Sequence, residues 1–415
     1  MKGASKTIRI IRQLFLICLC LIAFLLPFEP KFLFPVEAAA ILFFVLGYHP
    51  LLIFKNLALH KKKGIWILAY LLLAAYCLPY TDNPEALRQL NVKLSFLLIP
   101  VMLFGSGMSS HAAKSILNWF IYGCFAACIS LLCLGAWDYL RFQDRSVFTY
   151  GSFSRYMHVT YFSMYILISM ALLWMEEIQN EGKFRFGILL QLGIFMLCLF
   201  FISAKISLIL FIPFSLICLY QWINIHKRYL TGIVVAIVLC SLPACLYLLS
   251  PSLKNRIDYG IQELVNPPEY ASGIASTGIR LMAWKSAWPD IKANLPLGIG
   301  PHKVQDMLSA HYAKAGFELG VDKKLNMHNE YLQQLAGTGI AGLLIWILII
   351  LQPLIQSQKL YRSIGVLFAL VVGGSALTES ILERQAGTIF VCLIGIALVL
   401  AYGKEKPDRV HSPHI

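Results

Sequence analysis

The sequence predicts an all-α integral membrane protein of about twelve transmembrane helices with one large polar loop, and three observations predict it. Of 415 residues, 58% are hydrophobic and 13% are charged, well below the roughly 25% charged of an average soluble domain. Apolar runs recur at lengths near the roughly 20 residues that a helix needs to cross about 30 Å of hydrocarbon. Only residues 251–330 form a long polar stretch.

The runs fall at about 12–28, 33–55, 64–80, 92–107, 115–138, 156–175, 186–202, 204–222, 229–250, 331–355, 359–378 and 386–402. The first begins behind Lys2, Lys6, Arg9 and Arg12, as a signal peptide does. No small-residue cleavage site follows, and Pro27, Phe28, Glu29 and Pro30 intervene, so it is expected to be retained as a helix. A single polytopic membrane domain over 1–415 is expected, because the stretch 251–330 is too short and too interrupted by apolar residues to hold a large core of its own. The 11 cysteines all lie in apolar runs without a CxxC pair, so they read as small core or lipid-facing residues and not as disulfides or metal ligands.

A net charge of +14 would point to nucleic acid in a soluble protein, but here placement explains it. Counting spans from a cytoplasmic N-terminus puts Lys55, Lys61, Lys62 and Lys63, then Lys183 and Arg185, then Lys227 and Arg228, then Lys359 and Arg362, then Lys404 and Lys406 on one side. That distribution obeys the positive-inside rule. Both termini are therefore expected in the cytoplasm, with 251–330 facing outward, into the periplasm of a Gram-negative cell. The lipid bilayer, not nucleic acid, is the expected partner of the charge.

Within the loop, Ser276 or Thr277 can cap a helix running to about Trp288, where Pro289 interrupts it. Arg280 and Trp284 share a face of that helix by their i, i+4 spacing. Leu295 to Gly300 reads as a turn, and a second helix is expected from about Lys303 to Gly316. His328 then opens the tenth span. Gly337-Thr-Gly339-Ile-Ala-Gly342 matches a dinucleotide fingerprint but follows no strand and lies in an apolar helix, so its small residues are expected to serve close helix packing. His302, His311 and His328 are too scattered for a metal site, and neither a metal nor a cofactor is expected.

The chemistry is expected in the polar stretch. An arginine is a permanent cation suited to phosphate, and a histidine can take a proton near neutral pH. Arg280 alone could equally be an interfacial residue resting on lipid headgroups. Its company argues otherwise. The strings Gly278-Ile-Arg280-Leu-Met-Ala-Trp284, Pro296-Leu-Gly298-Ile-Gly300, His328-Asn329-Glu330-Tyr331-Leu332 and Gly337-Thr-Gly339 resemble, in order and spacing, the C-terminal signature of the O-antigen ligase and polymerase family.

Sequence detail carries this resemblance mainly over 276–342. It implies a bundle of about a dozen helices with one large periplasmic loop, and an essential arginine and histidine at the positions of Arg280 and His328. Weaker counterparts stand at His158-Val-Thr-Tyr161 and at Thr378-Glu379-Ser-Ile-Leu-Glu383-Arg384. Where relatives usually carry an arginine between the seventh and eighth spans, this chain reads Ser203-Ala-Lys205. Lysine keeps the charge and loses the bidentate fork, and a lysine snorkelling from a helix end would look the same. His158, Trp284, Asn329 and Glu379 are secondary site candidates. A histidine satisfied by a backbone carbonyl would also account for His158. Glu379 and Glu383 stand at i, i+4 on one expected helix face, as a solvated helix end would also place them.

The function implied by the resemblance is transfer of a glycan from undecaprenyl diphosphate to lipid A core (a ligase) or to another glycan (a polymerase), without a metal. Cations must then stabilise a departing diphosphate and a base must deprotonate the attacking hydroxyl, tasks that fall to Arg280 with Lys205 and to His328. A single displacement inverts the anomeric centre and needs no pair of catalytic carboxylates. Glycan transfer to protein, a transporter and a nonenzymatic scaffold are the other readings. A transporter should place ionisable residues at mid-membrane depth in related halves, whereas those of this chain gather at the outer face.

Overall fold

The computed structural model describes residues 6–60, 64–178, 185–227, 229–230, 233, 247–248, 251–265 and 276–404, and among these the chain is helical with no strand. The helices are α1 (Lys6–Leu25), α2 (Leu33–Gly47), α3 (Pro50–Leu59), α4 (Ile65–Cys77), α5 (Pro84–Val92), α6 (Ser95–Gly105), α7 (Ser110–Phe142), α8 (Tyr150–Phe153), α9 (Val159–Glu177), α10 (Phe186–Ile202) and α11 (Lys205–His226). After these come α12 (Pro251–Val265), α13 (Ser276–Ala293), α14 (Val304–Lys314), α15 (Glu318–Asp322), α16 (Glu330–Gln356), α17 (Arg362–Ser375) and α18 (Gln385–Tyr402).

The protein is a multi-pass membrane protein. Among the described residues, 7 helical segments are long and apolar enough to cross a membrane: α1, the stretch Pro84–Gly105, α7, α9, α11, α16 and α18. The expectation of about twelve spans is thus met by 7, or by up to 8 if the bent pair of α2 and α3 counts as one. The run at 33–55 divides because His49, extended at ψ 138 ahead of Pro50, turns the chain, and α3 leaves α2 at 101°. The apolar stretches Ile65–Tyr80 and Phe186–Ile202 are shorter than the length that qualifies. The run at 359–378 yields only the 14 residues of α17, and most of 229–250 lies outside the described residues.

α9 and α18 form the centre of the bundle. Of their apolar stretches 89% and 83% are buried, against 33% for α1, and a helix that is apolar all round belongs inside. The two touch through Tyr165 stacked on Phe390, ring centroids 4.4 Å apart. α9 also packs on α7, α10, α11 and α17, while α18 packs on α6, α7 and α16.

This arrangement makes one end of the bundle special. α9, α11, α16 and α18 all begin there, and α17 ends there. The link from α17 to α18, residues 376–384, crosses that end as a strap. Glu330 at the start of α16 grips it twice: its N–H donates to the Ala376 carbonyl (2.9 Å) and its Oε2 accepts from the Leu382 N–H (2.8 Å). Tyr161 of α9 donates towards the Ser380 and Ile381 carbonyls at 3.3 and 3.2 Å.

The polar segment packs its own small core onto the same end. Ala283, Ala287 and Ile291 line one face of α13 and meet Val304, Leu308 and Tyr312 of α14 and Ala336 of α16. Two expectations change here. Pro289 does not interrupt its helix, which continues to Ala293 with Ile291 buried in the stripe; packing beyond the proline outweighs the one hydrogen bond it removes. The small residues at 337–342 also do more than let helices approach. Gly339 (φ 67, ψ −154) breaks α16, and the opened backbone binds the Pro296–Gly300 turn: Ile299 and Gly300 donate to the Ala336 and Gly337 carbonyls at 2.8 and 2.9 Å, and Ile340 donates to Pro296 at 2.9 Å. A Cβ at Gly339 would stand 2.0 Å from the Pro296 oxygen, so only glycine fits.

Candidate functional site

The strap delivers Glu379 to the point where the helices begin. Its side chain is 3% exposed, with Oε2 lying 3.5 Å from Nδ1 of His328 and 3.8 Å from Nδ1 of His158. None of these three buried atoms makes a hydrogen bond within the protein. They face one another at ion-pair distance without closing a hydrogen bond, which leaves each able to take a further partner.

Each residue is held there by its own element. His158 is the residue before α9, and Asn329 caps α16, its Oδ1 accepting from the Leu332 N–H at 3.0 Å. Asn329 also ties α16 to the strap, donating to the Leu377 carbonyl from Nδ2 and to Ser380 Oγ from its backbone, both at 3.2 Å. His328 takes a left-handed backbone (φ 46), uncommon for a non-glycine residue, with its N–H bonded to Asn326 Oδ1 at 2.9 Å. Trp284 fixes the residue before it, donating from Nε1 to the Met327 carbonyl at 2.9 Å. Arg280, one turn earlier on α13, donates from Nε to the Thr378 carbonyl at 2.8 Å, beside Glu379. Lys205, first in α11, reaches Thr277 Oγ1 at 3.4 Å, again one turn from Arg280.

Electrostatics follow from this crowding. Burial pushes the Glu379 carboxyl up, but the imidazoles of His328 and His158 and the guanidinium of Arg280 outweigh it, so the group ionises below the ordinary carboxylate value. Burial lowers His158, and Arg384, His328 and Arg280 add to that against the pull of Glu379. Burial likewise lowers Arg280, with Glu379 opposing. The result is one carboxylate among three basic side chains, beside the N-termini of α9 and α16, which add partial positive charge. Such a place can receive an anion and move a proton.

The structure brings Arg280, Trp284, His328, Asn329, His158 and Glu379 together, and sets Lys205 at Thr277, one turn of α13 from Arg280. It separates Glu379 from Glu383, contrary to the expected shared helix face. Residues 376–380 lie outside regular helix and Ile381–Glu383 form a 3₁₀ turn, because the strap must cross the bundle end. Glu383 turns instead to α5 and its continuation, where Arg88, Gln89 and Lys93 donate to it at 2.8, 2.9 and 2.9 Å. Sequence reasoning missed Arg384, which caps α18 and acts on His158, although it stands in the string already singled out. It also missed Tyr161 as the anchor of the strap. His311 pairs with Asp290 at 2.6 Å and His302 lies against Tyr80, so neither joins the site. Among the described residues, no group of three or more His, Cys, Asp or Glu side chains is arranged to hold a metal ion.

No curated protein matches the chain. A family model described as O-antigen ligase matches residues 188–347, a range that encloses Lys205, Arg280, Trp284, His328 and Asn329 and leaves out His158 and Glu379. Residues 188–347, under half of the chain, are thus similar to the O-antigen ligase family, and the strings that carry the resemblance in the sequence lie within that range.

Proposed function

We propose that the protein is an inner-membrane glycosyltransferase that moves a glycan from undecaprenyl diphosphate to an acceptor, ligating O-antigen to the core sugars of lipid A by an inverting, metal-independent displacement. The family supports a glycan-processing membrane enzyme of the ligase or polymerase type with lipid-linked substrates. The observation that carries the mechanism is the unsatisfied, buried Glu379 between His158 and His328, beside Arg280.

His328 takes the proton of the attacking hydroxyl as the new glycosidic C–O bond forms, and the C–O bond to the diphosphate breaks on the opposite face of the anomeric carbon. Glu379 orients the imidazole and offsets the charge it gains. Arg280, Lys205 and the converging helix N-termini meet the charge that develops on the departing diphosphate. Those are places where binding is stronger in the transition state than in the ground state.

The site faces the periplasm and both termini face the cytoplasm in this reading. Arg185, Lys227, Lys359, Arg362 and Lys404 lie at the opposite end of the bundle from His328, which supports that orientation. The exposed Lys314 in the polar segment is the labelling position of choice. In a cysteine-free background, Lys314→Cys should react with an impermeant thiol reagent in intact spheroplasts; reaction only after permeabilising the inner membrane reverses the orientation. The reaction itself is tested on a gel of surface glycolipid from a deletion strain. Loss of every chain from lipid A core is expected, whereas a single repeat left on the core assigns polymerisation.

A further inference from the structure

Beyond the Glu379 cluster, an open cleft of about 570 Å³ lies between the α4–α5 connection, the end of α13 and the start of α14. Its polar lining comprises Tyr80, Asn83, Asp290, Asn294, His302, Lys303 and Asp306. Its chemistry differs from that of the candidate site. Two carboxylates and two amides outnumber one ammonium, that of Lys303, so an anionic phosphate is disfavoured and a ligand rich in hydroxyls, each able to donate and accept, is matched. Tyr80 carries the Lys303 ammonium 5.5 Å from its ring centroid, yet it is 44% exposed and offers the rest of its aromatic surface to the C–H face of a sugar ring. His302, packed against Tyr80 with ring centroids 4.4 Å apart, is 2% exposed, and neither of its ring nitrogens has a hydrogen-bond partner. A hydroxyl entering beside Tyr80 would supply one.

The cleft and the site also share a frame. Asp290 and Arg280 stand on one helix, about 15 Å apart along its axis at 1.5 Å per residue. Ile299, also in the lining, belongs to the turn whose backbone bonds to α16, the helix that His328 precedes. Asp290 is fixed by His311 at 2.6 Å, and Asn294 donates back to the Asp290 carbonyl at 2.8 Å, so these walls are held in place.

We propose that this cleft is a glycan subsite, which holds an uncharged sugar unit of a chain whose reacting end lies at His328. The proposal rests on the glycan-transfer reading and names where the substrate makes its second contact, a few linked sugars from the reacting bond. The chain could be that of the donor or that of the acceptor.

The test uses the full chain in nanodiscs carrying His328→Ala, which stops turnover, and measures saturation-transfer NMR with two probes. One is the glycan released by mild acid from the cell's lipid-linked donor, and the other is the glycan released from its surface acceptor glycolipid. One of the two should bind, which names the source. Adding Asp306→Ala with Asn294→Ala, both exposed positions, should weaken that binding about tenfold or more at unchanged melting temperature, as loss of two sugar hydrogen bonds predicts. Equal affinity in the double variant, or no binding of either glycan, overturns the subsite. Failure of the transfer reading looks different: His328-intact protein would bind glycan through the cleft and never turn it over. Turnover with an unchanged KM in the double variant would remove the subsite and leave the transfer reading standing.

Discussion

Glu379 and Glu383 leave one strap, both buried, and meet opposite surroundings. Glu383 is saturated: Arg88, Gln89 and Lys93 all donate to it within 2.9 Å, and Lys93 is itself buried. Glu379 has two histidines at 3.5 and 3.8 Å and a buried oxygen without a hydrogen bond. The first arrangement is what a fold needs to pin a loop. The second is what a reaction needs, because groups that have already satisfied one another have nothing to offer a substrate. The saturated carboxylate therefore holds the strap, and the unsatisfied one is the carboxylate that the proposed mechanism uses.

Replacing each carboxylate by its amide sharpens this contrast most. Glu383→Gln leaves the Lys93 ammonium buried without its counter-charge and should cost about 3–5 kcal/mol of stability, read as a lower melting temperature in detergent. The Lys93 and Arg88 charges overcome burial and hold the Glu383 carboxyl at about 2, against an ordinary 4.5. A depressed value stabilises the fold above the ordinary one and loses that contribution as pH falls from 4.5 through about 2. Wild-type protein should thus lose melting temperature over that window, and Glu383→Gln should lose less.

Glu379→Gln should do the reverse, lowering transfer about 10–100-fold while costing less stability than Glu383→Gln, because only the neighbouring basic groups, and no hydrogen bond to that buried oxygen, favour its charge. If the two amides lowered melting temperature alike, the division of labour on the strap would be wrong.

A smaller effect separates charge from geometry at the start of α11. Lys205→Ala should reduce transfer severalfold through KM for the donor, and Lys205→Arg should be tolerated, since arginine keeps the charge and adds a fork of donors. A greater loss with arginine than with alanine would place Lys205 outside the anion's reach.

Much of the site was legible in the sequence because its strings are local. Arg280 and Trp284 share a helix face by spacing alone, and His328 with Asn329 reads as a helix start. The weight of Glu379 was not legible, since its partners come from α9, α13 and the start of α16, and no local period records that meeting. The i, i+4 reading of Glu379 and Glu383 failed for the same reason: helical spacing means nothing where tertiary contacts hold the backbone in a strap. Of the fold, apolar runs located the helices well, but their number as spans depended on breaks. Pro50 divides one run, and another ends early at Ser375, where the strap begins. Gly339 was noticed as a small residue for packing, but its role in opening α16 to the Pro296–Gly300 turn needs a partner remote in sequence.

The central claim is that a metal-free cluster of Arg280, His328 and Glu379 transfers glycan from a lipid diphosphate. Its most direct test is the transfer rate of purified full-length protein given undecaprenyl diphosphate-linked glycan and acceptor, with chelator present and no added metal. The wild type should turn over, while His328→Ala and Arg280→Ala, at matched melting temperature, should each fall about 10²–10⁴-fold. Dependence of the wild-type rate on a divalent ion, or near-normal transfer by His328→Ala, would contradict the account.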